Sequence, residues 1–284
     1  MTDNIVRIST YPQMKLREKE GVAMLHFPAF DEIDFITHGM STRMGGVSEG
    51  IYATMNFKED GEDSQENIRE NYRRIAGYLG CDVKRIVRPK LVHGKHVHLV
   101  TEEDYGNGAI RPSTLTDTDA VITNVPGVTL CATFADCVPL FFVDMKNKAI
   151  GLAHSGWRGT VQKIGMETVR EMQKQFGSAP QDILAAIGPC ICGSCYEIGA
   201  EVAEEFLTAF EGAEDNGILQ KKSAEKYQLD LRKANEQVFL EAGILPEHIT
   251  VSDICTCCNP TLLFSHRATK GKRGALGAFL GVKE

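Results

Sequence analysis

The feature that most constrains the fold is a pair of apolar runs, residues 139–144 and 149–154, separated only by the polar stretch Met145-Lys146-Asn147-Lys148. Four residues cannot carry a crossover between parallel strands, so the two runs must form an antiparallel hairpin. Neither run alternates polar with apolar residues, which makes the hairpin an interior element covered on both faces. Further β-rich runs lie at 120–123, 128–133, 183–187, 249–254 and 275–282. Between them, apolar residues recur at helical spacing over 64–80, with Ile68, Tyr72, Ile75, Ala76 and Leu79 on one face, an Asp63/Glu66 capping-box pattern and Gly80 at the end. A second helix is expected over 161–177 with Thr160 as its cap, and two more over 200–210 and 231–242. These elements predict a mixed α+β sandwich with helices packed outside the sheets.

No low-complexity tract, repeat or linker divides the chain, so one domain over 1–284 is expected. The 31 Lys plus Arg against 38 Asp plus Glu leave a net charge of -7, which offers no global field to nucleic acid or to an anionic membrane. No apolar run has the length of a membrane span, and the polar residues 1–10 lack the core of a signal peptide. A cytoplasmic protein is expected, and its nine cysteines, an odd number in a long chain, read as thiols rather than a disulfide framework.

The hairpin also aligns chemistry. Centred between Lys146 and Asn147, it sets Cys137 opposite Gly156 and so within two residues of the level of His154, each where a strand gives way to a loop. His93, in Val92-His93-Gly94, sits at a similar break. Two imidazoles and a thiolate suit zinc and leave a fourth position for water or substrate, which implies catalysis more than structure. The alternative is a buried strand-end thiol beside two ordinary histidines. Cys192-x-x-Cys195 and Cys255-x-x-Cys258, with Cys190 and Cys257 nearby, are a second candidate set, but the 60-residue gap from Cys195 to Cys255 exceeds the usual linking segment and disfavours a four-thiolate zinc. His96 and His98 would face opposite sides of a strand, so they do not make a copper pair. A Cys137/His154 nucleophile–base pair acting as a metal-free hydrolase also remains open.

Anion-binding candidates are the glycine-bearing loop Arg43-Met44-Gly45-Gly46-Val47-Ser48, Arg158 at the start of the 161–177 helix, and the cationic stretch His266, Arg267, Lys270, Lys272 and Arg273. Each has a plain alternative as a turn or a solvated basic loop.

Thr42-Arg43-Met44-Gly45-Gly46-Val47-Ser48, Val92-His93-Gly94, Ala135-Asp136-Cys137, His154-Ser155-Gly156-Trp157-Arg158-Gly159, Ile187-Gly188-Pro189 with Cys195-Tyr196-Glu197-Ile198-Gly199, and the tail from Cys255 to Arg273 occur in an order that resembles the laccase-domain proteins, also called the polyphenol oxidase or peptidoglycan editing factor family. The resemblance spans 37–282. It implies a four-layer α/β/β/α sandwich similar to the catalytic domain of cytotoxic necrotizing factor, and zinc, or alternatively copper, on His93, Cys137 and His154. It further implies phosphorolysis of adenosine, inosine and methylthioadenosine to the free base and ribose 1-phosphate, with adenosine deamination alongside. Purine nucleosides and phosphate would be the partners of a monomer or small oligomer. On this reading Cys137, His154 and Asp136 are catalytic, and Arg43, Asn56, Arg158, His266 and Arg267 bind substrate or phosphate. Asp136 and His38 are the candidates for general acid or base. Copper-dependent phenol oxidation and a role in editing cell-wall precursors, catalytic or as a helper, are the alternatives. Ser155, Thr54-Met55-Asn56-Phe57 and His266 depart from the usual family residues, which bears on substrate preference rather than on the metal ligands.

Overall fold

The structure is a computed structural model that describes residues 5–9 and 13–284. Residues 1–4 and 10 of the polar N-terminal segment lie outside the described residues. In chain order the elements begin with β1 (Lys15–Lys19), β2 (Val22–His26), α1 (Pro28–Asp31), β3 (Ile36–Ser41), α2 (Gln65–Leu79), β4 (Ile86–Val87), β5 (Val97–Leu99) and β6 (Ala120–Thr123). They continue with β7 (Thr129–Phe134), β8 (Val138–Asp144), β9 (Ala149–Ser155), α3 (Trp157–Val161), α4 (Ile164–Phe176), β10 (Ile183–Ile187), β11 (Glu197–Gly199) and α5 (Ala200–Ala209). The last are β12 (Leu219–Lys221), β13 (Lys226–Leu229), α6 (Leu231–Glu241), β14 (Ile249–Val251), α7 (His266–Thr269) and β15 (Leu276–Val282).

Two six-stranded mixed sheets form the centre. Sheet I has the order β1-β2-β3-β15-β7-β4 and sheet II the order β14-β10-β8-β9-β6-β5, while β11-β13-β12 form a small antiparallel sheet. One apolar cluster joins them, with Leu25, Leu130, Ala278 and Leu280 from sheet I against Phe141, Val143, Ile150 and Leu152 from sheet II. A second cluster lies between the other face of sheet II and α4, α5 and α6, through Leu140, Phe142, Val169, Phe206 and Phe239. A third packs α2 on the outer face of sheet I through Ile68, Tyr72, Ile75 and Phe279. The layers are therefore helix, sheet, sheet, helix. Every residue of β8 and β9 is buried, as their unbroken apolar character requires of strands covered on both sides.

The hairpin has the register expected from its length, running from Asp144↔Ala149 to Val138↔Ser155. Asp144 closes the turn by accepting from the backbone N–H groups of Lys146 and Asn147. Two helix expectations need correction. The cap of α2 is Ser64, which accepts from Asn67 N, whereas Asp63 turns to the Asn56 and Asn67 amides. The expected 161–177 helix is two helices broken at Lys163 (φ 56), and Thr160 lies inside α3 with its hydroxyl bonded to Gly156 O. Strands β1–β3 and the β11–β13 sheet were not anticipated; β1 (KLREK) is mostly exposed and carries little apolar signal, whereas β2 is a short buried apolar run that was overlooked.

Candidate active site

The cleft is lined by residues of both sheets, from the end of β7, the end of β9 and the residue just before β15. The chain passes from β7 of sheet I to β8 of sheet II through Ala135-Asp136-Cys137, so Cys137 stands at the junction. His154, near the end of β9, faces Pro139 across the hairpin. β6 pairs with β9 so that Ala120 lies opposite Ala153, which puts Asp119 beside His154. His93 comes from the loop before β5. The donor atoms of His93, Cys137 and His154 all lie within 4.8 Å of one another, and the two imidazoles meet edge to face at 4.8 Å between centroids.

Asp119 organises the group. Its Oδ1 accepts from His93 N at 2.9 Å and pairs with His154 Nδ1 at 3.0 Å, while its Oδ2 accepts from Gly94 N at 2.7 Å and Val92 N at 3.2 Å. Engaging Nδ1 leaves Nε2 as the His154 nitrogen that could coordinate a metal. Three N–H donors on one carboxylate also hold His93 in the left-handed region at φ 64, a conformation that a side chain other than glycine rarely adopts. Asp136 is left-handed too, at φ 91, and is pinned by Thr256 Oγ1 donating to Oδ1 at 2.6 Å and Arg267 N donating to Oδ2 at 2.7 Å. Backbone strain therefore flanks the cluster on both sides, as is common at functional sites. Gly156 is required by close approach, because a Cβ there would stand 2.9 Å from His93 Cδ2 and 3.3 Å from Cys137 Sγ.

Burial alone would raise the Cys137 thiol, but His154 and then His93 outweigh it and bring it down to about 6. For His154 burial works toward the neutral ring, yet the Cys137 thiolate and Asp119 push it up to about 9. Burial would likewise raise Asp119, and its bond to His154 and the loop N–H groups keep it below the usual carboxylate range. Without metal the pair is thus a thiolate beside an imidazolium, and a cation would take the place of protons.

The cleft has a volume of about 460 Å³. His93, Cys137 and His154 share its wall with Phe57, Leu91 and Phe134, with the cations Lys58, Arg88, Lys90 and Arg273, and with the acids Glu59 and Asp60. Four cations against two carboxylates make it a positive pocket in a negative protein. Arg88 is paired with Glu59, whereas Arg273 is half-buried, with one guanidinium N–H donated to Gly274 O and no hydrogen-bond partner on its buried Nε. Burial lowers the Arg273 pKa, against the opposing pull of Cys137, Asp136 and Asp60.

The chain matches, over residues 37–283, the family described as multi-copper polyphenol oxidoreductase laccase. It belongs to that family. Among its relatives, a protein of Bacillus subtilis (strain 168) named purine nucleoside phosphorylase YlmD is 38% identical over 247 residues, covering 87% of this chain and 88% of the relative. Adenosine deaminase RL5, from an unknown prokaryotic organism, is 32% identical over 232 residues, 80% of this chain and 87% of the relative. The crystal structure of YlmD from Geobacillus stearothermophilus superposes with a TM-score of 0.89 at 34% identity, covering 96% of this chain and all of that one (100%).

Not every residue singled out from the sequence of this laccase-family chain reaches the cleft. His38 is a core histidine, packed among Phe27, Phe30 and His26 and accepting from Phe27 N, with burial driving its pKa down to about 3. Asn56 is interior, fastened to Asp63, Lys58 N and Ala275 N. Arg43 stacks on Phe264 and donates to the carbonyls of Ala53 and Pro260, in a separate depression. Both carboxylate oxygens of Asp136 are engaged, as described above. Arg158 stacks on Trp157 at 4.2 Å, and Arg267 donates to Cys195 O and Glu197 O over the Tyr196 ring. His266 is exposed on α7. Asp136, Arg158 and Arg267 gather around Tyr196 close to Cys137, outside the cleft wall.

Asp119 and the cations Lys58, Arg88 and Lys90 were missed. An available signal for Asp119 was position: it immediately precedes the 120–123 strand. The cations are scattered through loops, and only sheet I brings them to one end.

Proposed function

We propose that this chain is a zinc-dependent purine nucleoside phosphorylase, taking adenosine, inosine or methylthioadenosine with phosphate to the free base and ribose 1-phosphate. The observation that carries this reading is the open cleft whose wall combines three metal-type donors with unsatisfied cationic hydrogen-bonding capacity. The names of the relatives support the reaction class. Two imidazoles and one thiolate fit zinc, and three donors leave a position for water or substrate. Bound there, the ion supplies Lewis acidity and lowers the pKa of a coordinated water.

The remaining work falls to the chain. Asp119 orients His154 and the His93 loop. Arg273, with an unused buried donor, and Lys58 and Lys90 beside it hold the phosphate dianion. Phe134, Phe57 and Leu91 offer apolar surface to the purine ring. A base whose release from C1′ is to be assisted needs polarisation at its ring nitrogens, so it must lie toward the donor cluster while phosphate approaches C1′ from the cationic side.

Adenosine deamination is a second activity of the same cleft, supported by the relative named adenosine deaminase. Both chemistries need an activated oxygen nucleophile near a purine nucleoside, and phosphate distinguishes them. Phenol oxidation of the laccase type needs several coppers to store electrons; the cleft gathers one three-donor group.

The test is incubation of the purified protein with adenosine or inosine, with and without phosphate, following released base by chromatography alongside zinc analysis. Phosphate-dependent release of adenine or hypoxanthine by zinc-containing protein is expected. Zinc-loaded protein that turns over no purine nucleoside would overturn the reading.

A further inference from the structure

Behind the cleft lies a second donor group that the reaction does not use. The sulfurs of Cys192, Cys195, Cys255 and Cys258 all lie within 4.8 Å of one another, with Cys195 and Cys258 at 3.5 Å. All four are free thiols. The 60-residue gap argued against this set, and the fold shows why that argument fails. β10 and β14 are parallel neighbours, in register from Ala185↔Ile249 to Ile187↔Val251. The long excursion between them is the crossover that parallel strands require. Each Cys-x-x-Cys leaves the end of one of these strands, and an isolated parallel bridge, Cys190↔Cys255, carries the pairing into the loops.

The two loops are built alike. Three turn residues follow the first cysteine of each pair, and in the first loop Cys195 N donates to Cys192 O at 3.0 Å. Cys192 N also donates to Cys255 Sγ at 3.2 Å. A sulfur that receives a backbone donor in this way is suited to carrying negative charge.

We propose that Cys192, Cys195, Cys255 and Cys258 bind a single structural zinc ion, distinct from the one at His93, Cys137 and His154. Tetrahedral coordination at 2.3 Å puts sulfurs about 3.8 Å apart, close to the 3.5 Å between Cys195 and Cys258 and within the 4.8 Å span of the set. An iron–sulfur cluster, whose cysteines bind different irons, needs a wider spread. Four thiolates close the coordination sphere, so the site holds structure rather than substrate. What it holds is the support of the cleft: Ile191 N donates to Asp136 O, Thr256 to the Asp136 carboxylate, and Arg267 to Cys195 O. The ion clamps two strand ends against the strained residue next to Cys137.

The test is zinc stoichiometry of the chain purified under reducing conditions, compared with Cys195→Ser/Cys258→Ser and with His93→Ala. Two zinc per chain are expected for the native sequence and one for each variant. Because the double variant can fail to fold, alkylation of the native chain is mapped by peptide mass spectrometry before and after chelation. The four cysteines should be protected until chelator is added. Zinc unchanged in Cys195→Ser/Cys258→Ser, the four thiols alkylating freely before chelation, a Cys195–Cys258 disulfide, or iron with sulfide would each overturn the assignment. His93→Ala reports separately on the cleft site, so failure of one assignment is not failure of the other.

Discussion

The donor set in the cleft and the donor set behind it are joined by a few hydrogen bonds through Asp136, yet they are built on opposite plans. In the cleft, three side chains of two kinds come from three separate strands or loops, His93 is exposed, and an outer carboxylate, Asp119, sets their orientation. Behind it, four identical donors come from two similar turns, and the backbone itself supplies an outer hydrogen bond, from Cys192 N to Cys255 Sγ. A set that leaves coordination open depends on neighbours for its geometry, whereas one that closes the sphere can be held by the local turn. The first plan suits chemistry and the second suits scaffolding.

That contrast breaks most directly at the ligands. Cys137→Ala should lower phosphate-dependent base release by more than the roughly 10- to 100-fold typical of losing an outer carboxylate, with the melting temperature little changed. Cys195→Ser/Cys258→Ser should lower the melting temperature by roughly 10 °C, since loss of a structural zinc costs several kcal/mol, while folded, zinc-loaded molecules keep their turnover. Thermal melts run beside activity assays check both. If the two variants lose the same property, the division of roles is wrong.

The protonation of the cleft set sharpens it further. A thiol held down at about 6 is mostly thiolate at pH 7, so metal-stripped protein should alkylate at Cys137 with a rate that rises with pH to a midpoint near 6 and is flat above it. The shift is attractive in origin, with His154 as its largest favourable cause. His154→Asn should therefore move the midpoint toward the ordinary thiol value and cut the thiolate fraction at pH 7 by up to about thirtyfold. Iodoacetamide rates at Cys137 between pH 5 and 9 would measure this, and an unmoved midpoint would remove His154 from the account.

The two sets also differ in how far the sequence revealed them. The hairpin register of β8 and β9 followed from a four-residue turn between apolar runs, and with it the shared level of Cys137 and His154, because strand pairing is a local rule. The four cysteines were visible as two Cys-x-x-Cys pairs, but their meeting depends on β10 and β14 being parallel neighbours, a fact of sheet order that spacing along the chain does not encode. Arg43, Asn56 and His38 carried motif or neighbourhood signals and proved to be fastened to carbonyls, amides and aromatic rings of the scaffold. A polar residue conspicuous in sequence is as readily a satisfied interior group as a ligand, and only its partners distinguish the two. β1 escaped because its exposed sequence KLREK has no apolar run to announce it, whereas β2 does carry one, residues 22–25, that was overlooked.

Asp119→Asn tests whether the outer shell matters only in the cleft. An amide cannot keep both the imidazole and the loop N–H groups as an anion does, so zinc affinity of the cleft set should fall by roughly 10- to 100-fold. Competition against a chromophoric chelator should show one weakened site and one unchanged site in the same molecule. Weakening of both would mean that the clamp behind Asp136 is coupled to the cleft more strongly than their separate hydrogen-bond networks indicate.

The smallest effect concerns substrate. Arg273 stands just before β15 with a buried, unpartnered Nε in the cleft wall, whereas the exposed Arg267 spends its guanidinium on Cys195 O and Glu197 O beside the thiolate set. Removing a charged hydrogen bond to an anion costs about 1.5 kcal/mol, or roughly tenfold in affinity. Arg273→Met should therefore raise the phosphate KM about tenfold while leaving adenosine deamination, which uses no phosphate, near its original rate. Arg267→Met should leave phosphate KM unchanged and act through stability. Initial rates over a phosphate series, with deamination followed in parallel, discriminate these outcomes. Equal losses in both reactions would place Arg273 with the scaffold and move phosphate toward Lys58 and Lys90, the other unburied cations of the same wall.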